Sequence, residues 1–204
     1  DDLFGIQTKK PVTDKNNVDD AAGTSATGKT DSASGPSRLP AAPNSSNITY
    51  TTFDNQNRPL TGTATDAQGN VLNVTVSYTP NDSMITYTDN SGNITKMEEY
   101  DASGNLTLTV NYTISNGKRT GGTAVDGNGN TYSINITNNT MIGSVEEIKD
   151  SNNRVVRKIE RYQNGNVRAI TDITYPAGGG RVETMYDFDT RVEMIREAIA
   201  STEL

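Results

Sequence analysis

The sequence predicts an all-β protein: an up-and-down antiparallel meander of about a dozen strands in an extended or rolled sheet, with an irregular N-terminal tail and a short C-terminal helix. Apolar and polar residues alternate with a period of two across most of the chain, as in strands that are buried on one face. Short turns rich in Asp, Asn and Gly separate these segments, and they lie 12 residues apart from Gly117 to Gly129 and from Asn153 to Gly165. Because such short turns cannot carry a parallel crossover, neighbouring strands must be antiparallel.

The clearest unit of this repeat spans residues 100–114. Its turn, Asp101-Ala102-Ser103-Gly104-Asn105, contains a glycine that can take a positive φ and side chains that bond to nearby backbone. The strand that follows has one face of hydroxyl and amide side chains and one apolar face, formed by Leu106, Leu108, Val110, Tyr112 and Ile114. Similar units recur along residues 47–188, so we predict one antiparallel β-repeat domain over that range.

The composition excludes several classes of function. The 204 residues carry a formal net charge of −7, which argues against binding to nucleic acid. The chain has no cysteine and no histidine, so thiol chemistry, thiolate metal sites and the commonest general base are missing. No stretch approaches the roughly 18 apolar residues of a membrane-spanning helix. We therefore expect no enzyme activity, no cofactor, no metal site, no nucleic-acid partner and no transmembrane segment.

Residues 1–46 have a different composition and form a predicted low-complexity extended tail. From Asp19 to Pro43 this tail contains almost nothing that can fill a core. Near its start, three apolar residues are candidate contacts to a partner: Leu3, Phe4 and Ile6. The chain begins with Asp-Asp rather than Met, which is typical of a processed form or a fragment. We expect a secreted, periplasmic or cell-surface location after removal of a signal peptide.

Residues 154–161 form an unusually charged strand. Arg157 and Arg161 share a face with Val155 and Ile159. A strand with this pattern is expected to be wet on both faces or to lie near a sheet edge, where charge discourages further pairing.

The last segment, residues 189–204, is the one predicted helix. Asp189 or Thr190 can cap its N-terminus. Three apolar residues fall on one side of this helix at i, i+3 and i+7, and we predict that they contact a partner: Val192, Ile195 and Ile199.

The segment Tyr100-Asp101-Ala102-Ser103-Gly104-Asn105-Leu106-Thr107 resembles the YD repeat of the RHS family. Partial matches occur at 66–72, 89–95 and 162–168, whereas Tyr186-Asp187 lacks the glycine. In that family, strands joined by Tyr-Asp-x-x-Gly turns build long β-structures on secreted and surface proteins. The resemblance therefore implies a non-catalytic β-scaffold with a bias towards the cell envelope or exterior.

Candidate chemical sites have simpler explanations. The loop that starts at Asp126 looks like a calcium loop, but Thr137 stands where the bidentate Glu is expected, so a turn explains it. Glu98-Glu99 and Glu146-Glu147 are adjacent pairs whose members point to opposite faces of a strand, so neither doublet forms a carboxylate pair by itself. We expect both doublets to lie on solvated strands, and we expect the recurring tyrosines to pack across strands.

These observations predict a non-catalytic structural or interaction scaffold of the cell envelope or exterior. One apolar face per strand must be covered, and with only 32% hydrophobic residues we favour assembly with protein partners or with other copies of the chain. The tail and the C-terminal helix are the expected contacts. The alternative is a carbohydrate-binding β module that uses exposed Tyr and Asn side chains.

Overall fold

A computed structural model describes residues 47–139, 141 and 143–198, and within these ranges the chain forms 13 strands and no helix. The predicted tail, including Leu3, Phe4 and Ile6, lies outside the described residues. No helix long and apolar enough to cross a membrane occurs in the described ranges. The strands are β1 Ile48–Phe53, β2 Pro59–Thr65, β3 Val71–Tyr78, β4 Ser83–Thr88, β5 Ile94–Tyr100, β6 Leu106–Ser115, β7 Lys118–Asp126, β8 Thr131–Asn139, β9 Gly143–Lys149, β10 Val155–Arg161, β11 Val167–Thr174, β12 Arg181–Asp187 and β13 Val192–Ala198.

All 13 strands belong to one sheet, in which the spatial order is the chain order from β1 to β13. Every neighbouring pair is antiparallel, from Ile48 opposite Ala64 in β1–β2 to Val192 opposite Asp187 in β12–β13. The predicted antiparallel meander is therefore confirmed. Successive turns alternate between the two ends of the sheet, which brings every second hairpin to the same end.

Within the described ranges, six of the turns share one hydrogen-bonded design built on an aspartate. The first Oδ atom of this aspartate accepts the backbone N–H groups of the residues two and four positions later, as in Asp101 with Ser103 and Asn105 at 2.9 Å each. The residue three positions later has a positive φ, which is 83° at Gly104. This design explains why Asp, Gly and Asn recur with a fixed spacing. The six aspartates are Asp54, Asp66, Asp89, Asp101, Asp126 and Asp150.

The sheet is rolled, so that strands far apart in sheet order meet across an interior. Arg161 of β10 lies 3.1 Å from the Thr86 hydroxyl of β4 and 3.3 Å from the Met97 sulfur of β5. Five strand spacings in a flat sheet would separate β5 from β10 by about 24 Å. The interior is filled by one apolar cluster: Met84, Met97, Val110, Ala124, Ile134, Ile148, Ile159, Val167 and Ile170.

A second apolar cluster lies on the opposite face of the sheet, at its N-terminal end. It consists of Ala64, Val74, Val76, Ile85, Tyr87 and Tyr100, with Ile48 and Tyr50 of β1 packed against it. Strand β4 contributes Met84 to the interior cluster and Ile85 to this second cluster. It is therefore buried on both faces, which is how a chain with little apolar mass fills two small cores.

The expectation for residues 154–161 is wrong. Strand β10 lies between β9 and β11, and Ile159 and Arg161 are 0% and 1% exposed. Acidic side chains on other strands compensate the buried charge, an arrangement that the local pattern does not reveal.

The predicted C-terminal helix is wrong over Val192–Ala198, which forms strand β13. The Asp187 carboxylate accepts the backbone N–H groups of Asp189 and Thr190 and starts a turn. Arg191 then takes a positive φ of 55°, which directs the chain back along β12. The open hydrogen-bonding edge of β12 outweighs the helical spacing of the apolar residues. Residues 199–204 lie outside the described ranges.

Candidate functional site

The interior of the roll contains a buried carboxylate, Glu146 of β9, which is 0% exposed. It alternates with Ile148 along the strand, so both side chains enter the interior. The Arg161 Nε donates to Glu146 Oε1 at 2.6 Å, and the Arg119 guanidinium and the Tyr112 hydroxyl also donate to this carboxylate. We call these four residues the interior network.

Electrostatics keep the interior network charged. Burial alone would raise the pKa of Glu146, but the guanidinium groups of Arg161 and Arg119, together with the Tyr112 hydroxyl, hold this pKa below its usual value. Burial and the negative charge of Glu146 raise the pKa of Tyr112, so its hydroxyl stays a donor. Arg161 also donates to the Gly165 carbonyl at 3.1 Å. The network joins β6, β7, β9 and β10, and through Thr86 it reaches β4.

A second, partly buried ion pair lies towards the other end of the interior. Arg157 of β10 pairs with Glu99 of β5, and its Nε donates to Asp172 of β11 at 2.6 Å. Glu99 is 4% exposed. This contact also joins strands that lie five positions apart in the sheet, so both ends of the roll are held by charged hydrogen bonds.

On the opposite face of β5, Glu98 belongs to the second cluster. Its Oε2 accepts hydrogen bonds from the hydroxyl groups of Tyr87 and Tyr100, both at 2.7 Å, and Lys96 forms an ion pair with Oε1. Burial opposes the charge, but these three donors hold the pKa of Glu98 below its usual value. Glu98 and Glu99 therefore face opposite sides of the sheet, as the sequence predicts.

Each end of the roll has an opening. At one end, the turns after β4, β6, β8 and β10 border a groove of about 390 Å³. Its lining is mostly polar and includes Asn93, Lys118, Arg119, Asn138, Tyr162 and Asn164. At the other end, two adjoining cavities of about 60 and 260 Å³ share Glu99, Arg157 and Asp172 as lining residues.

The two outer strands offer a different kind of site. Among the described residues, β1 pairs only with β2 and β13 pairs only with β12, so each has an open hydrogen-bonding edge. The two edges differ in chemistry. Strand β13 carries Glu193, Arg196 and Glu197 in seven residues, whereas β1 contains no charged residue.

The structure separates the predicted contact residues. Val192 and Ile195 are half-buried on β13 and point to opposite faces, because their separation of three is odd in a strand. They do not share the side that the helical spacing predicts. Ile199, like Leu3, Phe4 and Ile6, lies outside the described residues. A role in partner contact stays a prediction for all six.

Within the described ranges, no group of three or more His, Cys, Asp or Glu side chains can hold a metal ion. The carboxylates of the interior network and of the Arg157 pair are bound to guanidinium groups rather than to a nucleophile or a general base. These ion pairs stabilise the rolled sheet.

Comparison of the chain with models of protein families, with curated proteins and with solved structures finds no match.

Sequence reasoning missed the buried charges. It placed the two glutamate doublets on solvated strands, but Glu98, Glu99 and Glu146 are 8%, 4% and 0% exposed. A signal for them exists. Arg157 and Arg161 are in phase with Ile159, and Glu146 is in phase with Ile148. Charges of opposite sign, each in phase with the apolar face of its strand, indicate ion pairs inside the core.

Proposed function

We propose that the protein is a non-catalytic interaction scaffold of the cell envelope or exterior, which associates with a second copy of itself through the open edge of β1. The observation that carries this proposal is the difference between the two outer strands. The resemblance of its turns to YD repeats supports a location at the envelope or outside the cell.

Strand β13 has the features of a protected edge. Charged side chains on an edge strand discourage pairing with another chain. If two copies of β13 paired in antiparallel fashion around Ile195, Glu193 of one copy would lie opposite Glu197 of the other. Like charges directly opposite each other are destabilising.

Strand β1 lacks this protection. Its sequence is Ile-Thr-Tyr-Thr-Thr-Phe, which is rich in β-branched and aromatic residues and has no charge, Pro or Gly. The register with β2 shifts between Tyr50 and Thr52, so the regular part of the edge runs from Ile48 to Tyr50. Antiparallel self-pairing centred on Thr49 aligns Ile48 with Tyr50 and Thr49 with itself, without any like-charge contact. The resulting dimer is two-fold symmetric.

The experiment measures the molar mass of the full chain by sedimentation equilibrium over a range of concentrations. We expect the mass of the wild type to rise from monomer towards dimer. Thr49→Lys, at an exposed position of β1, adds a charge that lies opposite its own copy in the dimer, so this variant should stay monomeric.

Thr123→Lys is the matched control. Thr123 is also exposed but lies on β7, where its neighbours Asn111 and Ser133 already pair with it on both sides. This variant should associate like the wild type. A wild type that stays monomeric at the highest concentration, or equal association of Thr49→Lys and wild type, would rule out pairing through β1.

Carbohydrate binding is the second candidate function, and the groove at the end of the roll favours it. The groove is lined by three asparagines, Asn93, Asn138 and Asn164, and by Tyr162. Amides and aromatic rings are the groups that bind sugar hydroxyls and sugar faces. A glycan array probed with the full chain and with the Tyr162→Ala variant tests this candidate. If no glycan binds, or if every glycan that binds the wild type also binds the variant, carbohydrate binding in this groove is excluded.

A further inference from the structure

A buried carboxylate oxygen at the end of the roll opposite the groove has no hydrogen-bond partner. This atom is Glu99 Oε1, on a side chain that is 4% exposed. Glu99 and Ser83 both line the cavity of about 60 Å³ between the β3–β4 connection and strands β10 to β13. An unpaired buried carboxylate oxygen costs free energy, so this cavity suits a group that donates hydrogen bonds.

The charge of the lining favours a cation. Four carboxylates line this acidic cavity, from Asp82, Glu99, Asp172 and Glu193, against the single guanidinium of Arg157. Arg157 is already engaged with Glu99 and Asp172. Burial, and then the negative charge of Glu99, raise the pKa of Asp82. A bound positive charge would relieve that repulsion.

The adjoining cavity of about 260 Å³ is suited to an alkyl chain. It shares Glu99 with the acidic cavity, and its other walls include Leu108, Ile148 and Val156. An extended alkyl chain can therefore lie on these three apolar side chains while its charged end reaches Glu99. A metal ion would not use this apolar surface, and the described residues include no metal-holding group of His, Cys, Asp or Glu.

We propose that the paired cavities bind a primary ammonium group carried on a short unbranched alkyl chain, with the ammonium donating to Glu99 Oε1. A lysine side chain of a partner protein and a free alkylamine share this chemistry. The site lies away from the outer edge of β1, so its occupancy does not depend on dimer formation.

The test titrates the full-length protein with pentylamine and, in a second arm, with a blocked pentapeptide that has a central lysine. Binding is followed by calorimetry and by NMR shifts of the backbone amides. Pentanol and the same peptide with norleucine in place of lysine are the neutral controls. We expect the amines to bind and to shift Ser83 and Glu99, and we expect the neutral analogues to bind at least tenfold more weakly.

Variants locate the site. Glu99→Gln removes the accepting charge and should weaken amine binding at least tenfold. Since this change also breaks the Arg157 ion pair and can affect folding, Asp82→Asn serves as a second variant, expected to weaken binding at least threefold. Glu147→Gln, on the outer face of β9, is the matched control and should bind like the wild type.

Tighter binding of the lysine peptide than of pentylamine identifies a protein partner, and the reverse identifies a small amine. Equal binding of pentylamine and pentanol would overturn the proposal. So would amine binding that the Asp82→Asn variant leaves unchanged, or the absence of any amine-induced shift at Ser83 and Glu99.

Discussion

At the scale of single residues, the most consequential feature is the pairing of Glu146 with Arg161 in the interior. Both side chains are fully buried, and Glu146 Oε1 and Arg161 Nε are 2.6 Å apart. Removing two charges from water is costly, and their attraction compensates only when the remaining donors and acceptors are also paired. Those partners are present: Thr86, the Gly165 carbonyl, Arg119 and Tyr112. The rolled sheet therefore tolerates the buried ion pair only while these contacts are intact.

Removing one member of this pair leaves the other as an isolated buried charge. We expect Glu146→Gln and Arg161→Met each to lower the free energy of unfolding by about 3–5 kcal/mol. The double variant should lose at least 1 kcal/mol less than the sum of the two single losses, because the residues interact directly. Urea denaturation of the four proteins in a double-mutant cycle measures both quantities.

Glu160 and Arg168 provide the control pair, since they form a salt bridge whose side chains are 24% and 34% exposed. Glu160→Gln should cost less than about 1 kcal/mol. An equal loss in Glu146→Gln and Glu160→Gln would show that burial of the interior network does not matter.

At the scale of elements, the aspartate turns set where each hairpin reverses. The backbone N–H of the fourth residue donates to the carbonyl of the first, as in Gly69 to Asp66 at 3.0 Å. The fourth residue needs a positive φ, and two turns meet this need with asparagines rather than glycine, Asn57 at 60° and Asn153 at 61°. Positive φ, rather than glycine as such, is therefore the requirement.

Gly69 isolates this conformational term, because a Cβ added there meets nothing within 4 Å while its φ is 85°. Gly69→Ala should lower the free energy of unfolding by about 1–2 kcal/mol, the cost of a left-handed conformation for an ordinary residue. Gly69→Asn should lose less, since asparagine tolerates this region. Thermal or urea unfolding of the two variants gives the comparison, and equal losses would contradict the explanation.

At the scale of the whole molecule, the 13 described strands form one continuous open sheet that is rolled, with side-chain contacts between distant strands. The apolar clusters on the two faces are small, and charged contacts from β10 to β4 and β5 complete the interior. Several carboxylates in these contacts and in the turns have lowered pKa values. They include Glu98 and Glu146, and Asp126, where hydrogen bonds led by the Asn130 side chain hold the pKa at about 2.

These shifts predict acid unfolding. A carboxylate whose pKa is lower in the folded protein contributes stability above its unfolded pKa, near 4, and this contribution is lost as the pH falls through the folded pKa. Asp82 acts in the opposite direction, because its pKa is raised in the folded protein. Its negative charge therefore lowers the stability at neutral pH, and protonation in acid removes that cost. More carboxylates have a lowered pKa than a raised one, so we expect the urea midpoint to fall steadily from pH 5 downwards.

Asp82→Asn is the informative variant for this pH series. It should be as stable as the wild type or more stable at pH 7, and the difference should disappear in acid. Glu146→Gln should flatten the wild-type pH dependence. A wild-type urea midpoint that stays constant between pH 7 and pH 3 would contradict the assignment of charged, paired carboxylates in the folded state.

The amino-acid sequence by itself determined the strands before β13, their turns and the antiparallel order. Those features are local: the alternation around Val110 and the Asp101 turn act within one hairpin, and hairpins of this length allow only neighbour pairing. That the two glutamates of a doublet face opposite sides of their strand follows from the same period of two.

Only the tertiary structure decided the roll, the burial of β10 and the strand at Val192–Ala198. Arg161 would be solvated in a flat sheet and is buried in the rolled one. Its burial depends on contacts with Thr86 and Glu146, which lie 75 and 15 residues away in the chain. Val192–Ala198 has a helical spacing of apolar residues, but the free edge of β12 offers it a row of backbone hydrogen bonds. Contacts between distant segments outweigh local preference where the local pattern fits two structures.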